Sequence, residues 1–234
     1  MRFDLNCDLG EGEPRARTEA LMRVITSANV ACGGHAGDIA SMERCVALAK
    51  KNKVRLGAHP GTVDRAGFGR DELRITAAEL ELLLVQQVSA LAHIAHAHGL
   101  KLHHIKLHGA LYHATERDAR LAKAYVEIVR RWWPGVVVYA LAGGTVAQLA
   151  KQMVWGEAFL DRNYLDTGTL VPRSESNALL KNVREARERT EQLMRRTVVS
   201  VNGKVIQVNA RTICIHGDTP RAMEFATLAK KEMK

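Results

Sequence analysis

The sequence predicts an α/β fold in which a mostly parallel sheet closes into one irregular, TIM-like (β/α) barrel. Short strand-like runs alternate with longer helical patterns along the whole chain. No linker, low-complexity run or composition break divides the 234 residues, so 1–234 reads as a single domain. Polar, chemically capable side chains recur where strands end, which in barrels of this kind is the working face. An open, doubly wound sheet is the alternative. No G-x-G-x-x-G follows the first strand and no G-x-x-x-x-G-K-[ST] occurs, so neither a Rossmann nor a P-loop nucleotide site is expected.

Residues 2–7 read as the first strand and 27–31 as the second. A helix over 38–51 follows, with Asp38 as N-cap and Ile39, Met42, Cys45, Val46 and Ala49 on one side. Residues 54–58 form the next strand. Thr76 and Glu79 make a capping box. It opens a long helix with Leu80, Leu83, Leu84, Val88, Leu91 and Ala95 inward, closed by Gly99. Strand 102–106 precedes a helix over 117–132 that Pro134-Gly135 stops. The apolar run 136–141 suits a strand covered on both faces, and a helix follows near 145–152. Residues 157–160 are a strand. Residues 198–201 and 205–208 flank Asn202-Gly203, a hairpin with a type I′ turn. Strand 212–215 and helix 220–231 complete the pattern.

Hydrophobic residues make up 47%, enough for a substantial core. No stretch approaches the ~20 apolar residues of a membrane span, and the first residues lack signal-peptide organisation. A cytoplasmic protein without membrane contact is expected. Net charge is +9. Much of the basic charge lies at 181–196, where Arg184/Glu188, Glu185/Arg189 and Arg187/Glu191 are spaced as on a solvated, salt-bridged helix face. With no aromatic-rich basic strand, zinc-finger or helix-turn-helix signal, no nucleic-acid partner is expected. Cys7, Cys32, Cys45 and Cys214 have no C-x-x-C spacing and read as buried free thiols.

The first strand places Asp4, Asn6 and Asp8 on one face, because side chains alternate along a strand. Charges pointing inward need partners or a ligand; the plainer reading is an exposed edge strand. His35 stands in the glycine-rich loop 33–37, and His59 directly follows the third strand. Histidines in equivalent positions after successive strands point to function. By alternation His104, Lys106 and His108 share a face, and a buried lysine is suited to polarising a carbonyl or holding an anion. The plainer reading has Lys106 snorkelling to water. Arg162 and Arg173 offer planar guanidiniums for a carboxylate or phosphate. His216 follows the last strand, while Asp218 or Thr219 could serve as N-cap of the last helix. His93, His96 and His98 read as surface residues of the long helix.

These residues fall in motifs: DLNCDLGE at 4–11, TSANVACGGHAGD at 26–38, GAHPG at 57–61, GFGR at 67–70, HIKLHGALY at 104–112, DRNY at 161–164, LVPR at 170–173 and ICIHGDTP at 213–220. In this order, and spanning essentially the whole chain, they strongly resemble the LamB/YcsF family, that of the A-type component of prokaryotic 5-oxoprolinase. The resemblance implies an irregular barrel of the glycoside hydrolase/deacetylase type. It also implies a hydrolase that opens the lactam of 5-oxoproline to L-glutamate at the expense of ATP, with partner subunits B and C. Absence of a nucleotide motif here accords with ATP being handled largely by those partners. Gly34, Leu107, Thr62-Val63 and Ser176-Asn177 depart from the family's usual residues, so the pocket walls differ.

On this reading Asp8 and His59 activate water and transfer protons, while Lys106 and His108 stabilise developing negative charge. Asp4, Asn6, His35, Arg162, His216 and Asp218 bind substrate. The runner-up is a metal-dependent deacetylase or amidohydrolase, with Asp8, His35 and His59 holding a divalent ion and leaving a position open. A third reading is a non-catalytic basic binding module. Self-association into a homo-oligomer is left open.

Overall fold

A sheet closed on itself pairs its backbone groups and leaves no edge. The computed structural model, which describes residues 3–233, reaches this state with parallel strands. They are β1 (Asp4–Leu9), β2 (Ser27–Ala31), β3 (Arg55–His59), β4 (His104–Lys106), β5 (Val137–Leu141) and β6 (Val154–Phe159). β7 (Thr197–Val199) and β8 (Val205–Gln207) form a separate antiparallel pair, and β9 (Thr212–His216) closes the barrel between β6 and β1. The barrel therefore has seven strands in the order β1-β2-β3-β4-β5-β6-β9. The irregularity lies in the β6–β9 connection, which holds a helix and the hairpin in place of a further barrel strand.

The helices are α1 (Arg15–Met22), α2 (Ile39–Asn52), α3 (Ala77–Ala97), α4 (Gly109–Arg117), α5 (Ala119–Trp132), α6 (Thr145–Leu149), α7 (Val183–Met194) and α8 (Ala222–Glu232). Leu5, Cys7 and Leu9 face outward from β1 into the apolar layer between barrel and helices, joined by Val30, Val46, Leu84, Val88, Leu91 and Phe225. The opposite faces of the strands fill the interior. Their register sets Asn6 beside Ser27 and Cys214, Asp8 beside Asn29 and His216, and Gly57 beside His104. Gly57 is needed there: a Cβ would lie 2.1 Å from His104 Nε2, so the imidazole takes the room a side chain would occupy. The interior is thus unusually polar for a barrel.

Most boundaries agree with the sequence reading to within a few residues. Arg2, where that reading began the first strand, lies outside the described residues. Asp38 caps α2 in a capping box with Ser41, and Thr76 with Glu79 caps α3. Ile39, expected inward, is 68% exposed because it opens α2 beyond the covered surface. Gln87 of α3 was not expected inside. It is buried and clips Gly61, donating to its carbonyl and accepting from its N–H. Neither α1 nor α4 was read; each follows a strand end within a loop-like motif rich in glycine or charge.

The hairpin exists, but its turn is not type I′. That turn needs positive φ at both central residues; Gly203 has φ 85, while Asn202 is not among the positive-φ residues. Ser200 and Lys204 close a three-residue loop instead, with a hydrogen bond from Gly203 N to Ser200 O. On α7, Arg184 meets Glu188 as expected. Arg187 instead pairs with Glu232, and Arg189 turns inward to the Arg162 carbonyl. The basic stripe is therefore partly a packing device. No helix among the described residues is long and apolar enough to cross a membrane.

Candidate active site at the barrel mouth

Three tiers of polar side chains line the barrel axis. At the N-terminal end, Asp4 accepts from Thr26, Ser27 and Arg55 on Oδ1 and from Tyr139 and Thr212 on Oδ2. Its acceptor capacity is filled. The structure places it at the far end from the strand termini and does not bring it to the site. Above it, Asn6 donates to Glu157 and Thr212 and accepts from Asn29, which also donates to Asp8. His104 Nε2–H donates to Asn29 Oδ1 at 2.6 Å, and burial holds this imidazole neutral, well below its ordinary pKa. Asn6 and His104 are thus a supporting floor.

The top tier gathers Asp8, Glu11, His35, His59, Lys106 and His108. Lys106 is 2% exposed, so it does not snorkel. Its Nζ donates to Asp8 Oδ1 at 2.8 Å and Oδ2 at 3.2 Å, lies 3.1 Å from Glu157, and reaches Cys214 Sγ at 3.0 Å. Burial opposes charge on both partners. For Asp8, His59 and Lys106 outweigh it and keep the carboxyl well below its usual range; for Lys106, Asp8 outweighs it and raises the ammonium. Glu11, carried by the loop after β1, is also held low: the imidazoles of His108 and His35, whose nitrogens lie 3.3 and 2.9 Å from its Oε1, overcome its burial.

The histidine hydrogens can be counted. His59 Nδ1 lies 2.8 Å from the Lys106 carbonyl and His108 Nε2 lies 2.8 Å from the Phe68 carbonyl. Carbonyls only accept, so both nitrogens carry hydrogen. The facing nitrogens, His59 Nε2 and His108 Nδ1, are 3.0 Å apart and need one further proton to bond. It belongs to His59. Burial lowers His108 to about 4, whereas for His59 the nearby Asp8 carboxylate overcomes burial and raises the pKa. Asp8 and Glu11 thus face Lys106 and an imidazolium.

His216 joins from β9, 3.9 Å from Asp8 and fixed by Asp161 at 3.1 Å. Thr219 also donates to Asp161, and α8 begins only at Ala222, so neither Asp218 nor Thr219 is its N-cap. Asp218 pairs with Arg70 and Arg173 instead. Arg162 is buried nearby, with Nη2 on the Val171 carbonyl. Sequence reasoning left Glu11, Glu157, Asp161, Phe68 and Arg70 out of the site. Alternation along β6 puts Glu157 and Phe159 on one face and would have flagged a carboxylate pointing inward. Contacts from loops carried no such signal.

For a divalent ion the sequence pointed to Asp8, His35 and His59. The donors that converge within 4.8 Å are Glu11, His35, His59 and His108; Asp8 falls in a second group with Cys214 and His216. The four-donor group does not fit an ion as arranged. His35 and His108 stack 3.5 Å apart at 3°, so an ion shared between them lies well outside both ring planes, away from the lone pairs. The four cysteines are buried and free, and burial raises Cys32 to about 12, which rules it out as a ready nucleophile.

A parallel barrel with a buried, proton-loaded carboxylate–lysine–histidine centre at its C-terminal mouth has the layout of barrel enzymes. The chain belongs to the LamB/YcsF family, whose pattern it matches over residues 3–234. It is 41% identical over 241 aligned residues to the A-type component of 5-oxoprolinase from Pyrococcus furiosus, covering 100% of this chain and 94% of the relative. Identity to the Bordetella pertussis protein of the same name is 42% over 231 residues, covering 96% and 92%. The structure resembles the lactam utilization protein of Thermus thermophilus, with TM-score 0.90, 35% identity and coverage of 100% and 96%. A GH113 β-1,4-mannanase shares the fold alone, at TM-score 0.51 and 12% identity over 99% of each chain.

Proposed function

We propose that the chain is a hydrolase acting on a cyclic amide: it opens the lactam of 5-oxoproline to L-glutamate, in the cytoplasm, with B- and C-type partner subunits. The observation that carries this reading is end-to-end identity of 41% with a protein named as the A-type component of 5-oxoprolinase. A lactam is a stable amide, so opening it needs carbonyl activation, a base and an acid for the leaving nitrogen. ATP supplies the activation. The sequence carries neither G-x-G-x-x-G nor G-x-x-x-x-G-K-[ST], and ATP is assigned to the partner subunits.

This chain's own residues handle protons and charge. Asp8, kept ionised beside Lys106, takes a proton from water. His59, already protonated, delivers one to the leaving nitrogen. Lys106 stabilises negative charge on the carbonyl oxygen. His108 has its Nε2–H committed to Phe68, so it shares the His59 proton and does not act as an oxyanion donor. His35 orients Glu11, Arg162 holds the substrate carboxylate, and His216 completes the wall.

The test is co-expression with candidate B and C subunits and an assay of ATP-dependent glutamate release. His59→Ala and Lys106→Ala should abolish turnover in assembled complex. Full activity of both sinks the assignment. The stacking of His35 on His108 argues against a second reading, a metal-dependent amidohydrolase. Metal analysis with chelator treatment separates the two: chelator-insensitive turnover excludes it.

A further inference from the structure

Asp218 lies among arginines. Arg70 Nη2 reaches its Oδ2 at 3.1 Å, and Arg173 contacts both oxygens, at 2.9 and 3.4 Å. Arg162 is only 4% exposed, and its buried Nε has no partner. The adjacent carboxylate, Asp161, is already engaged by His216 and Thr219. Asp218 therefore pairs with two guanidiniums, while the third, Arg162, has the Val171 carbonyl and the field of the already engaged Asp161. Their mutual field registers on neighbours: burial and then Arg173 lower Arg162 to about 10, and burial followed by Arg162 lowers His113 to about 4. The groups come from three connections at the C-terminal strand ends, after β3, β6 and β9, so the excess charge stands at the mouth. Uncompensated buried cations are costly unless an anion joins them. A guanidinium fork matches a carboxylate in two-point fashion.

We propose that Arg70, Arg162 and Arg173 form an anion subsite for a carboxylate on the substrate, in which Asp218 is a resident counter-ion that the ligand competes with. The anion chemistry stands on the arginines; naming the carboxylate as that of a lactam rests on the function proposed above. Arg70 and Arg173 thereby become specificity residues alongside Arg162. Asp218 limits affinity and is not a contact that the ligand gains.

The test is calorimetric titration of the full-length chain with 5-oxoproline, with 2-pyrrolidinone (the same ring without the carboxylate), with acetate and with inorganic phosphate. Wild type should prefer 5-oxoproline to 2-pyrrolidinone by roughly tenfold or more. Arg162→Gln and Arg173→Gln should erase that preference and leave 2-pyrrolidinone binding unchanged. Arg173→Lys, which keeps the charge and loses the fork, should weaken 5-oxoproline binding with an unaltered melting curve. Asp218→Asn should tighten it. A preference that survives both glutamine variants, or weaker binding in Asp218→Asn, overturns the proposal. Arginine-dependent phosphate binding beside arginine-independent 5-oxoproline binding assigns the subsite to a phosphoryl group and overturns the carboxylate. Arginine-dependent acetate binding with no uptake of either lactam upholds the subsite and refutes the lactam reading.

Discussion

Replacing Lys106 by methionine removes the ammonium and keeps much of the apolar stem. Two carboxylates, Asp8 at 2% and Glu157 at 0% exposure, then lose the cation that lies 2.8 and 3.1 Å from them. A charge pair at 2.8 Å attracts by about 6 kcal/mol at an effective dielectric near 20. Part of that returns when an orphaned carboxylate takes up a proton, so the net loss should be about 3–5 kcal/mol near neutral pH. For a chain of this size that is a fall in Tm of roughly 6–20 °C. The loss is pH-dependent. In wild type the Asp8 pKa lies below its ordinary value of 3.8, so its contribution is present above that pH and disappears as pH falls through the folded value. In the variant Asp8 keeps His59 and His216 but loses Lys106, so its pKa moves up from the wild-type value and it contributes less stability as pH rises. The gap between the proteins should therefore be widest near pH 8 and shrink towards pH 4. Urea unfolding followed by circular dichroism at several pH values measures it. A deficit below about 1 kcal/mol near pH 8, or one of equal size at all pH values, refutes the argument.

Asp4→Asn should cost about 2–3 kcal/mol of unfolding free energy and leave the KM for 5-oxoproline unchanged in the assembled complex, because Asp4 only ties the lower tier together. His108→Ala removes the acceptor that favours protonated His59, so the alkaline limb of the activity profile should move to lower pH; an unmoved limb in pH–rate measurements contradicts the shared proton. Burial lifts Glu116 from 4.5 to about 7, which means the stability it allows is present below 4.5 and lost as pH rises through 7. Discounted for partial exposure, Glu116→Gln should raise stability by about 1–2 kcal/mol at pH 8 and hardly at pH 5, read from paired melting curves. Gly34→Ala would set a Cβ 2.3 Å from the Gly61 carbonyl and 2.7 Å from the Gln87 amide. Overpacking should lower unfolding free energy by about 1–3 kcal/mol in denaturant titration.

The need for glycine at 34 is set by distant packing. The amide of Gln87 and the Gly61 carbonyl fill the room that a larger residue at 34 would take. That packing links a loop residue to one on α3 far along the chain. The two faces of β1, by contrast, were legible residue by residue. Alternation separates Leu5, Cys7 and Leu9 from Asp4, Asn6 and Asp8, and the structure buries both sets, one under helices and one along the axis. Capping boxes were equally legible, since Asp38 and Thr76 act within one helical turn. The hairpin was located correctly, yet its turn type was missed because the Ser200–Lys204 closing pair sets the loop length.

Local pattern therefore specified the alternating elements, the inward faces and the motif residues, because each depends on neighbours a few positions apart. Barrel closure decided the rest. It sent Asp4 and Asp8, four residues apart on one face, to opposite ends of the axis, one into a saturated structural tier and the other against Lys106. It brought Glu11, Phe68 and Asp161 from separate connections, and Glu157 from β6, into a site whose protonation no single segment encodes. The physical reason is that charge states in a buried cluster depend on distances between elements remote in sequence, and those distances exist only once the sheet has closed.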